Sequence, residues 1–363
     1  MRIIHISDIH LSSANYDEFS RNYIVDLPKV LQEENQKKDI DLIVITGDLV
    51  DQGGNSLLKI PGFEAIEDPY QIFEEKFIYP IKAELGFEND RFLFIAGNHD
   101  IDESNILWVD EKNMQKEEVA GNIKKLLSLS GDDADRYRAR IKRFKDFEER
   151  FHKDTSNYKY SINQSSYVYQ FNDQIKVGFA LINDSWRCST CRLAEPPKKL
   201  LFFGTDQIYN ALPDLQGTAM KVILTHHPIE SFHEHTEFKR ALLTQQYHLH
   251  LFGDKHQRDI SYHINPTGQC IGLMARAGLN KPDEEINKWQ PGFHIIDIDF
   301  EQAIISCITY YRYSYDNGVF AVDSDAAPRD GIDNTPRGLG FAKIVSQPKI
   351  DLTKLEEKTF FKP

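Results

Sequence analysis

Five short polar clusters hold the residue types able to do chemistry: Asp8-Ile9-His10, Gly47-Asp48-Leu49-Val50-Asp51, Gly97-Asn98-His99-Asp100, Thr225-His226-His227-Pro228 and Gly253-Asp254-Lys255-His256. Each has an ordinary structural use when taken alone. An aspartate after a strand caps a helix, a Gly-Asp pair makes a turn, and a lone histidine packs. Together they supply carboxylates, imidazoles and an amide, a mixed oxygen and nitrogen donor set that suits borderline-to-hard divalent cations such as Mn, Fe or Zn.

The elements that must position these clusters are legible as short apolar runs. Arg2 to Ile6, Asp41 to Ile45 and Arg91 to Ile95 read as buried strands, each followed at once by a polar cluster. A helical segment between the first two gives the rhythm of an α/β fold, in which loops at the carboxyl ends of strands converge on one crevice. Strands resume at Tyr167 to Phe171, Lys176 to Ile182, Lys221 to Leu224, His248 to Phe252 and Cys270 to Ala275. A final hairpin pairs Phe293 to Phe300 with Ala303 to Tyr313.

Residues 103–155 read as a helical insertion, with Tyr137, Ile141, Phe144, Phe147 and Phe151 at helical spacing. The basic run from Arg136 to Lys145 is either a solvated, paired face or a patch that steers phosphate. Residues 1–315 are expected to form the main domain. Residues 316–363 read as an extended tail, and the insertion or the tail is where a protein partner would dock.

A formal charge of −13 over 363 residues argues against broad, sequence-independent binding to duplex DNA. No stretch approaches the roughly 20 apolar residues of a membrane span, and Arg2 to Ile6 is too short for a signal sequence. The expected compartment is the cytoplasm. Four cysteines argue against a disulfide framework, and the lone Cys188-x-x-Cys191 pair reads as reduced thiols ahead of a structural zinc site.

The ordered set DxH, GDxxD, GNHD, a histidine before proline, and a closing Gly-x-x-His resembles the calcineurin-like metallophosphoesterases from Met1 to about Tyr313. The resemblance implies an α/β fold: a double β-sheet sandwich flanked by helices, with two divalent metal ions at the strand ends. It implies that Asp8, His10 and His256 hold one ion, that Asn98 and His226 hold the other, and that Asp48 bridges them. His99 matches the family's catalytic histidine and Asp100 the carboxylate expected to orient it, while Asp51 supports its loop and His227 stands behind the ligands. One position departs from the pattern, because Asp254 replaces the first histidine of GHxH. Asp254 either donates an oxygen, which favours Mn or Mg, or pairs with Lys255 or Arg258.

The resemblance implies a phosphoester hydrolase that uses a metal-bridging hydroxide, and the reading favoured here is a phosphodiesterase for a nucleotide or similar diester. Trp186 stacking on a base and Arg187 gripping a phosphate are the expected substrate contacts, together with His227. A nuclease like the SbcD branch, acting on single-stranded nucleic acid, is the alternative enzyme. A non-catalytic metal-binding scaffold is the alternative outside catalysis.

Overall fold

The computed structural model describes residues 1–114, 119–129, 131–189, 193, 200–279, 290–327 and 330–344. Fifteen strands form among them: β1 (Arg2–Ile6), β2 (Leu42–Thr46), β3 (Phe92–Ile95), β4 (Tyr158–Lys159), β5 (Gln164–Gln170), β6 (Lys176–Ile182), β7 (Met220–Leu224), β8 (Leu249–Phe252), β9 (Asp259–Asn265), β10 (Gly268–Met274), β11 (Gly292–Asp299), β12 (Ile304–Ser314), β13 (Val319–Val322), β14 (Ile332–Asp333) and β15 (Arg337–Gly338). One sheet runs β13-β12-β11-β1-β2-β3, with β14 and β15 also on β12. The other runs β4-β5-β6-β7-β8-β10-β9.

Side-chain alternation along the central strands explains why they read as unbroken apolar runs. Ile3, Leu42, Val44 and Leu93 point between the sheets, where they meet Val177, Phe179, Val222, Leu224 and Leu251 of the second sheet. Ile4, Ile6, Ile43 and Ile45 point to the opposite face and pack under helices. Both faces are buried, so a polar residue there needs a partner: His5 of β1 is buried with His294 Nε2 at 3.0 Å and Thr46 Oγ1 at 2.9 Å. The result is the expected sandwich, with helices outside each sheet.

The helix Lys142–His152 shows how the 103–155 segment is anchored. Phe144, Phe147 and Phe151 are buried with Tyr70, Phe73, Phe92 and Phe94, and the Phe94 and Phe151 ring centroids lie 5.1 Å apart. The segment therefore shares the main core, which its aromatic spacing alone does not say. Most of its basic run is spent internally. Arg138 donates to the carbonyls of Leu126, Leu127 and Leu129, Lys145 is buried against Glu148, and Arg143 donates to Asn55 Oδ1 at 2.7 Å. Arg140 and Arg187 meet on Glu111, all three nearly inaccessible to solvent.

The start of the expected tail docks on the main domain: β13, β14 and β15 pair with β12, so the sheet extends past Asp316, while residues 345–363 lie outside the described ones. β9 was missed because it is a largely exposed edge strand whose polar alternation carries no apolar run.

Candidate metal centre

Parallel pairing aligns the carboxyl ends of β1, β2 and β3 in one sheet and of β6, β7, β8 and β10 in the other, and contacts such as His226 Nδ1 to Thr46 O join the two rows. Every sequence cluster hangs from one of these ends. The loops are laced together by backbone hydrogen bonds, Asp8 N to Gly47 O at 3.0 Å, His10 N to Asp48 O at 2.9 Å and Gly253 N to His226 O at 2.8 Å. Asp8, His10, Asp48, Asp254 and His256 all have positive φ, between 49° and 73°. Non-glycine residues seldom adopt that conformation, and such strain persists only where the surroundings impose it. Two glycines make the crowding possible. A Cβ on Gly97 would lie 2.1 Å from Asp48 Oδ1, and one on Gly253 would lie 1.9 Å from Ser7 Oγ.

Two donor groups face each other across one carboxylate. Asp48 Oδ1 is occupied by the backbone N–H of His99 at 2.7 Å. Asp48 Oδ2 is left facing His10 Nε2 at 3.5 Å and His226 Nε2 at 3.4 Å. On the first side, His10 Nε2 and His256 Nε2 are 3.1 Å apart, and Asp8 Oδ1 lies 3.4 Å from His256 Nε2. On the second, Asn98 Oδ1 is 3.0 Å from His226 Nε2, and Asp254 groups with His226 and His227. His226 Nδ1 lies 2.7 Å from the Thr46 carbonyl, which assigns the proton to Nδ1 and turns the Nε2 lone pair into the centre.

The arrangement fits divalent cations on three counts. Asp8 Oδ1 and His10 Nδ1 are buried without a hydrogen-bond partner, and an orphaned buried carboxylate oxygen is costly unless a cation meets it. Ligand bonds of about 2.0–2.1 Å place two nitrogens on one ion roughly 3 Å apart, close to the His10 to His256 separation. The site's field is also negative: burial opposes a charge on His226, yet the Asp48 and Asp8 carboxylates raise its pKa well above the usual value. Burial dominates at His10 instead, which falls to about 3 against the pull of Asp48.

The partner of His99 differs from expectation. Its Nδ1 lies 2.5 Å from Asp51 Oδ1. Asp100 is buried elsewhere, accepting from the backbone N–H groups of Leu49, Val50 and Gly97 and from the Tyr70 hydroxyl at 2.9 Å. Burial, reinforced by Asp48, pushes the Asp100 carboxyl up to about 7. The chain turns here, with Asp100 N donating to Gly97 O at 3.2 Å, and the turn sends the Asp100 side chain back to the N–H of Gly97 and across to the Asp48 loop, so Asp100 clamps two loops and the carboxylate at the end of GDxxD meets the imidazole. Spacing within GNHD could not reveal this.

Trp186 and Arg187 also need correction as substrate contacts. The Trp186 indole N–H donates to Phe203 O at 2.9 Å, and Arg187 is 2% exposed with Glu111 Oε2 at 2.5 Å. Neither reaches an open surface. The residue that matters in that loop is Asp184, which accepts from the backbone N–H groups of His226 (3.0 Å) and His227 (2.9 Å) and from His227 Nδ1 (2.8 Å). Its signal was available: it follows the carboxyl end of β6, as the other clusters follow theirs. His227 Nε2 lies 3.9 Å from Asp254 Oδ1 and 3.6 Å from the Cys188 thiol. Cys191, the other half of the CxxC, lies outside the described residues. Arg258, one possible partner of Asp254, turns to the Asp325 carbonyl at 2.9 Å.

A cleft of about 500 Å³ opens beside His99, lined by Asp51, Gln52, Asn55, Asn98, Asp102 and Glu103 among others. The sandwich and the paired donor groups at its seam define a metallophosphoesterase. The chain belongs to the calcineurin-like phosphoesterase family, whose model matches residues 1–258. Among solved structures it is similar to a dimetal phosphatase from Danio rerio (10% identity, TM-score 0.44, covering 86% of this chain and 95% of that one). It is also similar to the NAD nucleotidase of Haemophilus influenzae (13% identity, TM-score 0.41, 99% and 56%) and to zinc-complexed Vps29 from Entamoeba histolytica (13% identity, TM-score 0.32, 89% and 97%). No curated protein matches the chain. Among the described residues no helix is long and apolar enough to cross a membrane.

Proposed function

We propose that this protein hydrolyses phosphodiesters, with a nucleotide or a similar modest-sized diester as substrate, at a centre for two divalent cations. The observation that carries the reading is the single oxygen Asp48 Oδ2, within 3.5 Å of one imidazole from each donor group. Asp8, His10 and His256 would hold one ion, Asn98, His226 and Asp254 the other, with Asp48 between them. Asp254 adds a hard oxygen where the family pattern has an imidazole, which supports manganese or magnesium over zinc.

When bound, such ions would supply an activated water and would neutralise charge on the phosphoryl oxygens. The chain's own groups do the rest. With Nδ1 engaged by Asp51, His99 presents Nε2 to the cleft, where it donates a proton to the departing alkoxide. Thr46 and Asp184 hold the His226 loop in place, and Asp100 clamps the two loops that carry Asp48 and His99.

The internal pairing of Arg138, Arg140, Arg143 and Lys145 supports a small diester over a long nucleic acid, since a nuclease needs cations free to track a backbone. A cytoplasmic location is supported by free thiols at Cys188, Cys270 and Cys307. The test is hydrolysis of bis(p-nitrophenyl) phosphate by metal-stripped protein before and after addition of Mn²⁺, with metal analysis of the untreated sample. Restored turnover with close to two ions per chain supports the proposal. Two bound ions with no turnover would leave a metal-binding scaffold.

A further inference from the structure

We propose that Arg258 forms an anion-binding subsite for a second phosphate, carried on the part of the substrate that keeps the phosphoryl group. The proposal rests on the hydrolase reading above for the position of the scissile ester. A second cleft, of about 330 Å³, opens beside His256, which lines it together with Gln257, Arg258, Arg276, Gln290, Asp323 and Asp325. Its position follows from topology. Arg276 stands just past the carboxyl end of β10, the strand paired with β8, from which the Asp254 and His256 loop springs.

The two arginines have different parts. Arg276 is 6% exposed, and its guanidinium is consumed by Asp323 Oδ2 at 2.7 Å and the Gln290 carbonyl at 3.4 Å. It is a fixed wall. Arg258 is exposed; it donates from Nη2 to the carbonyl of Asp325 and lies 5.6 Å over the Tyr310 ring. Asp325's own carboxylate goes to Arg312 at 3.2 Å. Arg258 therefore meets no carboxylate among the described residues, although the chain is strongly acidic. One edge of its guanidinium is held by a neutral acceptor and its face by an aromatic ring, so the fork is pre-oriented, a geometry that suits bidentate contact with phosphate.

The flank beside His99 is lined by three carboxylates, Asp51, Asp102 and Glu103, with amides and two serine hydroxyls and, among the described residues, no Lys or Arg, whereas the second cleft sets two arginines against Asp323 and Asp325, whose carboxylates pair with Arg276 and Arg312. An anionic group placed there would face carboxylates. The two flanks therefore orient a substrate: the leaving alcohol toward His99, and the phosphoryl group with its second anion toward Arg258.

The probes are thymidine 5′-(p-nitrophenyl phosphate) and the same ester bearing a 3′-phosphate, followed by p-nitrophenol release with Mn²⁺ present. The proposal expects kcat/KM to favour the 3′-phosphorylated ester about tenfold, the scale of one charge-assisted contact. Arg258→Ala should collapse that ratio to near one, and Arg258→Lys should restore only part of it. No preference in the natural protein, or a preference that survives Arg258→Ala, would overturn it. If neither ester is cleaved, the hydrolase reading fails by itself, and the subsite is tested by calorimetric binding of thymidine 3′,5′-bisphosphate. Binding about tenfold weaker in Arg258→Ala upholds the subsite, and equal or absent binding in both proteins removes it.

Discussion

Asp51 Oδ1 lies 2.5 Å from His99 Nδ1, and the two residues sit 48 positions apart on loops that follow different strands. The contact fixes the ring through Nδ1 in the wall of the cleft that both residues line. An imidazole held this way can deliver a proton along one direction, which is what a departing alkoxide needs.

Replacing Asp51 with Asn should therefore slow turnover about 10- to 100-fold, the usual cost of losing a partner that orients a working group. His99→Ala should cost more, roughly 10²- to 10⁴-fold. Metal content should stay at the natural level in both, since the proposed role of each is to move or steer a proton; His99 also stands within ligand reach of His10 and Asp48, so loss of metal from His99→Ala would make it a ligand instead. Steady-state kinetics alongside elemental analysis separates the outcomes, and loss of metal from Asp51→Asn would reassign that residue.

Asp48→Ala should abolish occupancy on both sides at once, because one oxygen faces both imidazoles. The natural protein should gain thermal stability when Mn²⁺ is added, by mass action on the folded state. The variant should show almost no such gain. A variant that keeps one tightly bound ion would show that the two sides do not share Asp48.

Glu111 lies between the guanidinium groups of Arg140 and Arg187, with all three side chains 1–2% exposed. Burial already lowers the Arg187 pKa to about 10. Removing the carboxylate leaves two buried like charges, so Glu111→Ala should cost about 3–5 kcal/mol of stability. Urea denaturation measures it, and a loss below about 1 kcal/mol would mean water reaches this cluster.

His152 and His294 are buried, and burial depresses the pKa of each to about 3. Unfolded, they titrate near 6.5. Between those values the unfolded chain binds the extra proton, so stability falls as pH drops below about 6.5, by roughly 2 kcal/mol per histidine at pH 5. Replacing either with Gln should flatten the decline in urea midpoint between pH 7 and pH 5. A slope unchanged in both variants would place the acid sensitivity elsewhere.

Most of the sandwich can be read from the sequence because its central strands bury both faces and so spell continuous apolar runs, as in Leu42–Thr46 and Lys176–Ile182. Strands such as Asp259–Asn265 and Val319–Val322 escape notice because an edge strand has no second core to satisfy. The candidate donors carry a sequence signal of their own, since each cluster follows a strand end; parallel pairing aligns those ends within each sheet, and sheet packing brings the two rows together. What sequence order cannot carry is side-chain direction. Asp100 adjoins His99 yet turns to Tyr70, Asp51 is remote yet touches the ring, and Trp186 and Arg187 follow a strand end yet point inward.

The donors are divided between the two halves of the sandwich. Asp8, His10, Asp48 and Asn98 hang from the sheet that contains β1, and His226, Asp254 and His256 from the sheet that contains β7. The hydrophobic layer that sets the register of one sheet on the other also sets the gap across which any ion must be shared. A strand advances about 3.3 Å per residue, nearly the separation between Asp48 Oδ2 and the imidazoles on either side. The centre thus acts as a gauge of sheet alignment: a cavity cut at Leu224, in the layer between the sheets, would be felt first as slack in metal affinity.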